Sequence, residues 1–166
     1  MRRTPKRKRA EATVEHILET TESLIASEGV LDLSTNSIAR AAGISIGSIY
    51  LYFPNKEAII VALYRRALER IWAEIQAVSV DLGPKPSLEA VMDAAKLRIG
   101  PTDRREFSHL DSSLGGVAIP EVIEARRNHG MRVASWLADL LETMGSRWPR
   151  TKLERLATMV FATHAT

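Results

Sequence analysis

Ser34 to Glu57, S-T-N-S-I-A-R-A-A-G-I-S-I-G-S-I-Y-L-Y-F-P-N-K-E, reads as two short helices meeting at a sharp corner. Ser34 is a good N-cap, because its hydroxyl can accept from a free amide of a first helical turn. Ile38, Ala41 and Ala42 then fall at i, i+3, i+4 and give that helix one apolar face. Gly43 ends it, since the left-handed conformation just past a helix costs least without a Cβ. Ile44 plugs the corner and Ser45 caps a second helix, expected to run to Phe53 with Ile46, Ile49, Tyr50 and Phe53 on its inner side. Pro54 stops it, having no amide to give and disfavouring a helical residue before it. Neither helix, at about two turns, can hold its shape alone. The plan is that of a helix-turn-helix that reads DNA.

The flanks supply a scaffold. Val14, Ile17, Leu18, Leu24 and Ile25 form a helical stripe from Ala10 to Glu28, closed by Gly29. Downstream, Asn55 caps a helix with Glu57 in its first turn and an apolar stripe through Ile59, Ile60, Leu63, Ile71 and Ile75.

The stretch resembles the DNA-binding domain of the tetracycline-repressor (TetR) family of bacterial transcription regulators. The family pattern is met by Ile38-Ala39, Ala42-Gly43-Ile44-Ser45, Gly47-Ser48-Ile49-Tyr50-Leu51-Tyr52-Phe53 and Lys56-Glu57-Ala58-Ile59, within residues 10 to 60. Two positions depart from it: Ile46 stands where a polar residue is usual, and Leu51 where His is usual. Both lie near the DNA-facing side of the second helix, so apolar contact with thymine methyl groups is expected to replace some polar readout. The resemblance implies that Ser45, Ile46, Gly47 and Ser48 lie nearest the bases, with Leu51 beside them. Tyr50, Tyr52 and Lys56 are expected to reach phosphates. Thr35 and Asn36 match positions that approach the backbone or a base.

The basic end fits the same expectation. Arg2, Arg3, Lys6, Arg7, Lys8 and Arg9 precede the first helix, and residues 1–9 are expected to form a disordered arm that follows phosphates or enters a minor groove. A solvated tail is the bland alternative. The arm localises the charge: the chain carries +3 overall and −3 without those six side chains.

At 166 residues and 45% hydrophobic content, the chain can form one ordinary domain or two small helical ones. It has no cysteine, which excludes disulfides, thiolate chemistry and Cys-built zinc sites. No run of about eighteen apolar residues and no secretion-signal core is present. The resemblance therefore points to a bacterial cytoplasm, beside the nucleoid.

A boundary is expected at Asp81 to Ser87, where one Gly and two Pro interrupt the helical pattern. Ser87 caps a helix with Leu88, Val91, Met92, Ala95 and Ile99 on one face. A shorter piece covers Arg104 to Leu114. Pro120 opens a long helix to Met144 whose stripe includes Val122, Ile123, Val133, Trp136, Leu137, Leu140 and Leu141, and a last helix begins at Thr151. The expected fold is all-α: an N-terminal helix-turn-helix domain (10–55), a connector helix (56–80) and a helical effector-binding and dimerisation domain (81–166). In such a domain a mostly apolar pocket forms between helices. Candidates for it are Met92, Leu97, Phe107, His109, Leu110, Leu114, Val122, Arg126, His129 and Trp136; for the apolar ones core packing is the more ordinary role, and for the two histidines a surface or structural one. Family members usually continue further, so the last helix of the dimer interface is expected to be absent.

The expected function is a sequence-specific repressor of a palindromic operator on double-stranded DNA. It acts as a homodimer and is released by a small-molecule effector, with no cofactor, metal or membrane partner. An activator or ligand-independent regulator of the same fold is the alternative, and a helical protein-interaction module a more distant one. No nucleophile–base pair, paired carboxylates or Gly-rich phosphate loop suggests an enzyme.

Overall fold

The computed structural model describes residues 5–82, 86–98 and 118–164, and every regular element among them is a helix. Seven are described: α1 (Pro5–Glu28), α2 (Thr35–Ala42), α3 (Ile46–Tyr50), α4 (Lys56–Leu82), α5 (Leu88–Arg98), α6 (Pro120–Thr143) and α7 (Arg150–His164). They divide into two compact units, the first holding α1, α2, α3 and α4 up to Arg66, the second α4 from Ala67 with α5, α6 and α7.

α1 starts earlier than expected, at Pro5, so residues 5–9 are helical and not an irregular arm. Pro suits a first turn because its missing amide would have no partner there and its φ is preset. One turn on, Arg7 pairs with Glu11 at 3.3 Å. Arg2 and Arg3 lie outside the described residues, as does the side chain of Lys6.

The corner forms as its residues require. Ser37 N–H donates to Ser34 Oγ and Ser34 N–H to Ser37 Oγ, each at 3.0 Å, so the two serines close the first turn of α2 reciprocally. At the other end Gly43 adopts φ 65° and ψ 27°. Its N–H donates to Arg40 O and that of Ile44 to Ala39 O, the paired bonds of a left-handed helix stop. Ser45 Oγ then accepts from Ser48 N–H at 3.1 Å and opens α3. α3 is shorter than expected, ending at Tyr50; Leu51 and Tyr52 continue as a turn in which Tyr52 and Phe53 both donate to Ile49 O. Asn55 Oδ1 accepts from Ala58 N–H at 2.8 Å and starts α4.

The core of the first unit gathers Ile17, Leu18 and Ile25 of α1, Ile38 and Ala42 of α2, Ile49, Phe53, and Ile59, Ile60, Leu63 and Tyr64 of α4. Two expected inner residues of α3 are not inside. Ile46 is 37% exposed and Tyr50 54%, while Ile49 is 0%. With five residues α3 turns less than one and a half times, so only Ile49, with Phe53 one turn on, can face inward. Polar contacts tie α1 to the rest of this unit: His16 Nε2 donates to Ala42 O at 2.9 Å, and Arg66 of α4 pairs with Glu15 and Glu22.

In the second unit, Ser87 Oγ accepts from Ala90 N–H at 3.1 Å to open α5, and Pro120 opens α6. Val78, Val91 and Leu140 form a core cluster against which Leu82, Ala94, Trp136, Leu137 and Met144 pack. Leu153 anchors α7, and Arg150 pairs with Asp139, Glu142 and Glu154, bonds that raise its pKa further. Ile123, expected in the α6 stripe, is exposed instead. Gly130 does not interrupt α6.

Candidate nucleic-acid interface

The corner leaves one side of α3 and the start of α2 open to solvent. Ile46, Gly47 and Tyr50 of α3, and Leu51 just after it, are all exposed, with Gly47 and Leu51 on the side away from Ile49. Leu51 is 79% exposed, and Tyr52 is also exposed. Thr35 and Asn36 lie in the first turn of α2, and Thr35 Oγ1 is 3.3 Å from the Tyr50 hydroxyl, so the two helices present their hydroxyls together. Ser45 and Ser48 are bonded through their hydroxyls at 2.8 Å.

Lys56 behaves differently from expectation. Its Nζ donates to Leu33 O at 3.0 Å, closing the loop between α1 and α2. An ammonium has three donors, so two remain for a phosphate, but part of the side chain's work is structural. Arg7, Lys8 and Arg9 are exposed at the start of α1. The Arg7–Glu11 pair, open to water on both sides, is weak and exchangeable.

Gly47 stands out within the reading face. Its backbone is not left-handed, and an added Cβ would meet only Ser45 Oγ, at 3.8 Å. Neither strain nor internal packing requires glycine there.

The pocket candidates separate. Phe107, His109, Leu110 and Leu114 lie outside the described residues, as does the side chain of Met92. Val122 is buried, and Trp136 packs on the core cluster of the second unit. Arg126 and Leu97 are exposed.

His129 is a core group, 3% exposed, edge-on to Trp72. Arg132 stacks over the same indole at 4.6 Å and pairs with Glu69. Burial pushes the His129 pKa down, Arg132 pushes it further, and Glu69 opposes both. The hydrogen bond from Arg132 holds the Glu69 carboxyl below its ordinary value. A histidine with a lowered folded pKa binds more protons when unfolded, so stability is full above about pH 6.5 and falls as pH drops through that value. The Glu69 contribution is lost only below the usual carboxylate range of about 4.5. Urea denaturation between pH 7.5 and 5.5 is therefore expected to show falling stability, and His129→Gln is expected to flatten that slope. An unchanged slope in the variant removes His129 as its source.

Among the described residues no helix is long and apolar enough to cross a membrane, and no group of three His, Cys, Asp or Glu is placed to hold a metal ion.

Residues 17–63 match the family model of bacterial regulatory proteins, tetR family. Over 63 residues the chain is 35% identical to the HTH-type transcriptional regulator EthR of Mycobacterium tuberculosis, a stretch that makes up 38% of this chain and 29% of that protein. The chain thus spans less than a third of that relative's length by sequence. Among solved structures it superposes on a transcriptional regulator from Rhodococcus with a TM-score of 0.73 at 21% identity, over 90% of this chain and 78% of the other. The multidrug binding protein EbrR, solved with imidazole, superposes with a TM-score of 0.63 at 16% identity, over 89% and 93% of the two chains. The helical fold is therefore shared well beyond the matched domain. Its corner, its caps and the sequence match make residues 17–63 a domain similar to that of the bacterial regulatory proteins of the tetR family.

Proposed function

We propose that the protein is a sequence-specific transcriptional regulator that represses from a palindromic operator as a homodimer and is released by a small-molecule effector. The observation that carries this is the exposure of Ile46, Gly47, Tyr50 and Leu51 around a buried Ile49, within a domain similar to that of this family. α3 lies in the major groove. Tyr50 and Thr35 bind one phosphate through their adjacent hydroxyls, Tyr52 and Lys56 bind others, and residues 2–9 add sequence-independent attraction. Asn36 contacts the backbone or a base.

The effector sits among the helices of the second unit; a multidrug binding protein of similar fold, EbrR, was solved in complex with imidazole, which supports a ligand-binding role for such a fold. α4 carries residues of both units, Lys56–Arg66 in the first and Ala67–Leu82 in the second, so a guest that shifts α4 moves the reading head. The two heads of a dimer must match a half-site spacing that the duplex fixes. Release then depends on how much more tightly the effector binds the shifted state. A bacterial cytoplasm is the compartment that suits this role, and the likeness to bacterial regulatory proteins supports it.

A mobility shift tests this with a fluorescent duplex from upstream of the protein's own coding region, at about 50 and 200 mM salt. Binding is expected to fall steeply between the two. Removing residues 1–9 is expected to weaken binding about tenfold at the lower salt and to flatten the salt slope. Tyr50→Phe and Lys56→Ala are expected to weaken it about evenly across sequences. Salt-independent binding by the full chain, or full affinity after truncation at low salt, contradicts the proposed contacts.

A further inference from the structure

We infer that α3 reads DNA mainly through the C5-methyl groups of pyrimidines, with Ile46 and Leu51 as the specificity-determining side chains. The inference rests on the DNA-binding reading above.

Strong discrimination in the major groove comes from side chains that make two bonds to one base, Arg or Lys to guanine and Asn or Gln to adenine. Between Ser45 and Tyr52 there is no charged and no amide side chain. The hydroxyls of this stretch are partly committed elsewhere. Ser45 Oγ accepts from Ser48 N–H and bonds to Ser48 Oγ, which leaves one hydroxyl hydrogen between the two serines. The Tyr50 hydroxyl lies against Thr35. What remains on the open face is apolar: Leu51 at 79% exposure and Ile46 at 37%, with Gly47 between them letting the backbone come close.

The major groove offers one apolar group to such a surface, the C5-methyl of thymine. Removing a contacted methyl from water corresponds to a factor of about four in affinity. 5-Methylcytosine carries the same methyl at the same place. The surface therefore accepts it in place of thymine, which makes the protein responsive to cytosine methylation at those positions.

The test begins by selecting bound duplexes from a randomised pool with the full chain. The selected duplex is then resynthesised with thymine replaced by deoxyuracil, or by cytosine or 5-methylcytosine with the matching guanine, one position at a time. Two positions per half-site are expected where deoxyuracil weakens binding about fourfold and where 5-methylcytosine binds better than cytosine. Leu51→Ala is expected to erase the thymine–deoxyuracil difference at one of them and Ile46→Ala at the other. Both side chains are exposed, and unchanged circular dichroism confirms that the variants fold. An enriched consensus in which deoxyuracil is harmless everywhere overturns the inference and leaves the proposed regulator standing. Variants that weaken thymine and deoxyuracil duplexes equally overturn it as well. A pool with no enriched sequence removes sequence-specific binding itself, and the inference with it.

Discussion

Ile49→Ala is expected to destabilise the first unit by about 2–5 kcal/mol and to abolish specific DNA binding. Ile49 is fully buried, so truncation removes its apolar contacts and leaves a cavity that the surrounding helices fill only in part. The consequence for α3 is larger than for an ordinary helix. Five residues cannot stay helical alone, and the segment depends on its Ser45 cap and on Ile49 and Phe53 in the core. The Ile49 carbonyl also accepts from Tyr52 and Phe53, so a shift at this residue disturbs the exit turn too. Ile46→Ala, three positions earlier and open to solvent, is expected to change stability by less than about 0.5 kcal/mol. Urea denaturation of the two variants measures the contrast. If the exposed Ile46 proved the more costly of the two, the faces of α3 would be assigned backwards.

The contrast also marks what could be read from sequence. The caps at Ser34, Ser45, Asn55 and Ser87, and the stop at Gly43, were all legible, because each depends on residues within five positions of one another. The burial of Ile59, Ile60 and Leu63 was legible for a similar reason, since α4 repeats its apolar stripe over several turns. α3 is too short for periodicity to fix a face, and Ile46 and Tyr50 were misplaced inward. The start of α1 at Pro5 was missed because a run of positive charge outweighed the first-turn preference of proline. Contacts distant along the chain left no local trace. Arg66 reaches Glu15 from 51 positions away, and His16 reaches Ala42 from 26. His129 has ordinary polar neighbours in sequence, and only the fold sets it against Trp72 and beside Arg132 and Glu69. The reading face itself was legible as residues but not as chemistry. Only the bonds among Ser45, Ser48, Tyr50 and Thr35 show how few free donors it keeps.

Gly47→Leu is expected to cost at least a hundredfold in DNA affinity while leaving the fold intact or up to about 1 kcal/mol more stable. Glycine in a helix is worse than leucine by about that amount, because it restricts a freer backbone and covers no surface. Space around Gly47 would admit a side chain, since the nearest atom to an added Cβ is Ser45 Oγ at 3.8 Å. The protein alone therefore offers no reason for glycine. A duplex does: with Ile46 and Leu51 on either side, Gly47 is where the α3 backbone can approach the groove floor most closely. A leucine would stand in that gap, hold the helix off the bases and break the contacts of Ile46, Leu51 and Tyr50 together. Gly47→Ala, with one methyl, is expected to fall between the two, near tenfold. Thermal denaturation and the mobility shift, run on the same preparations, should move in opposite directions, which a merely damaged protein cannot do. Were Gly47→Leu to fold and still bind the selected duplex with native affinity, α3 could not be the element in the groove, and the docking would have to be sought on another face of the first unit.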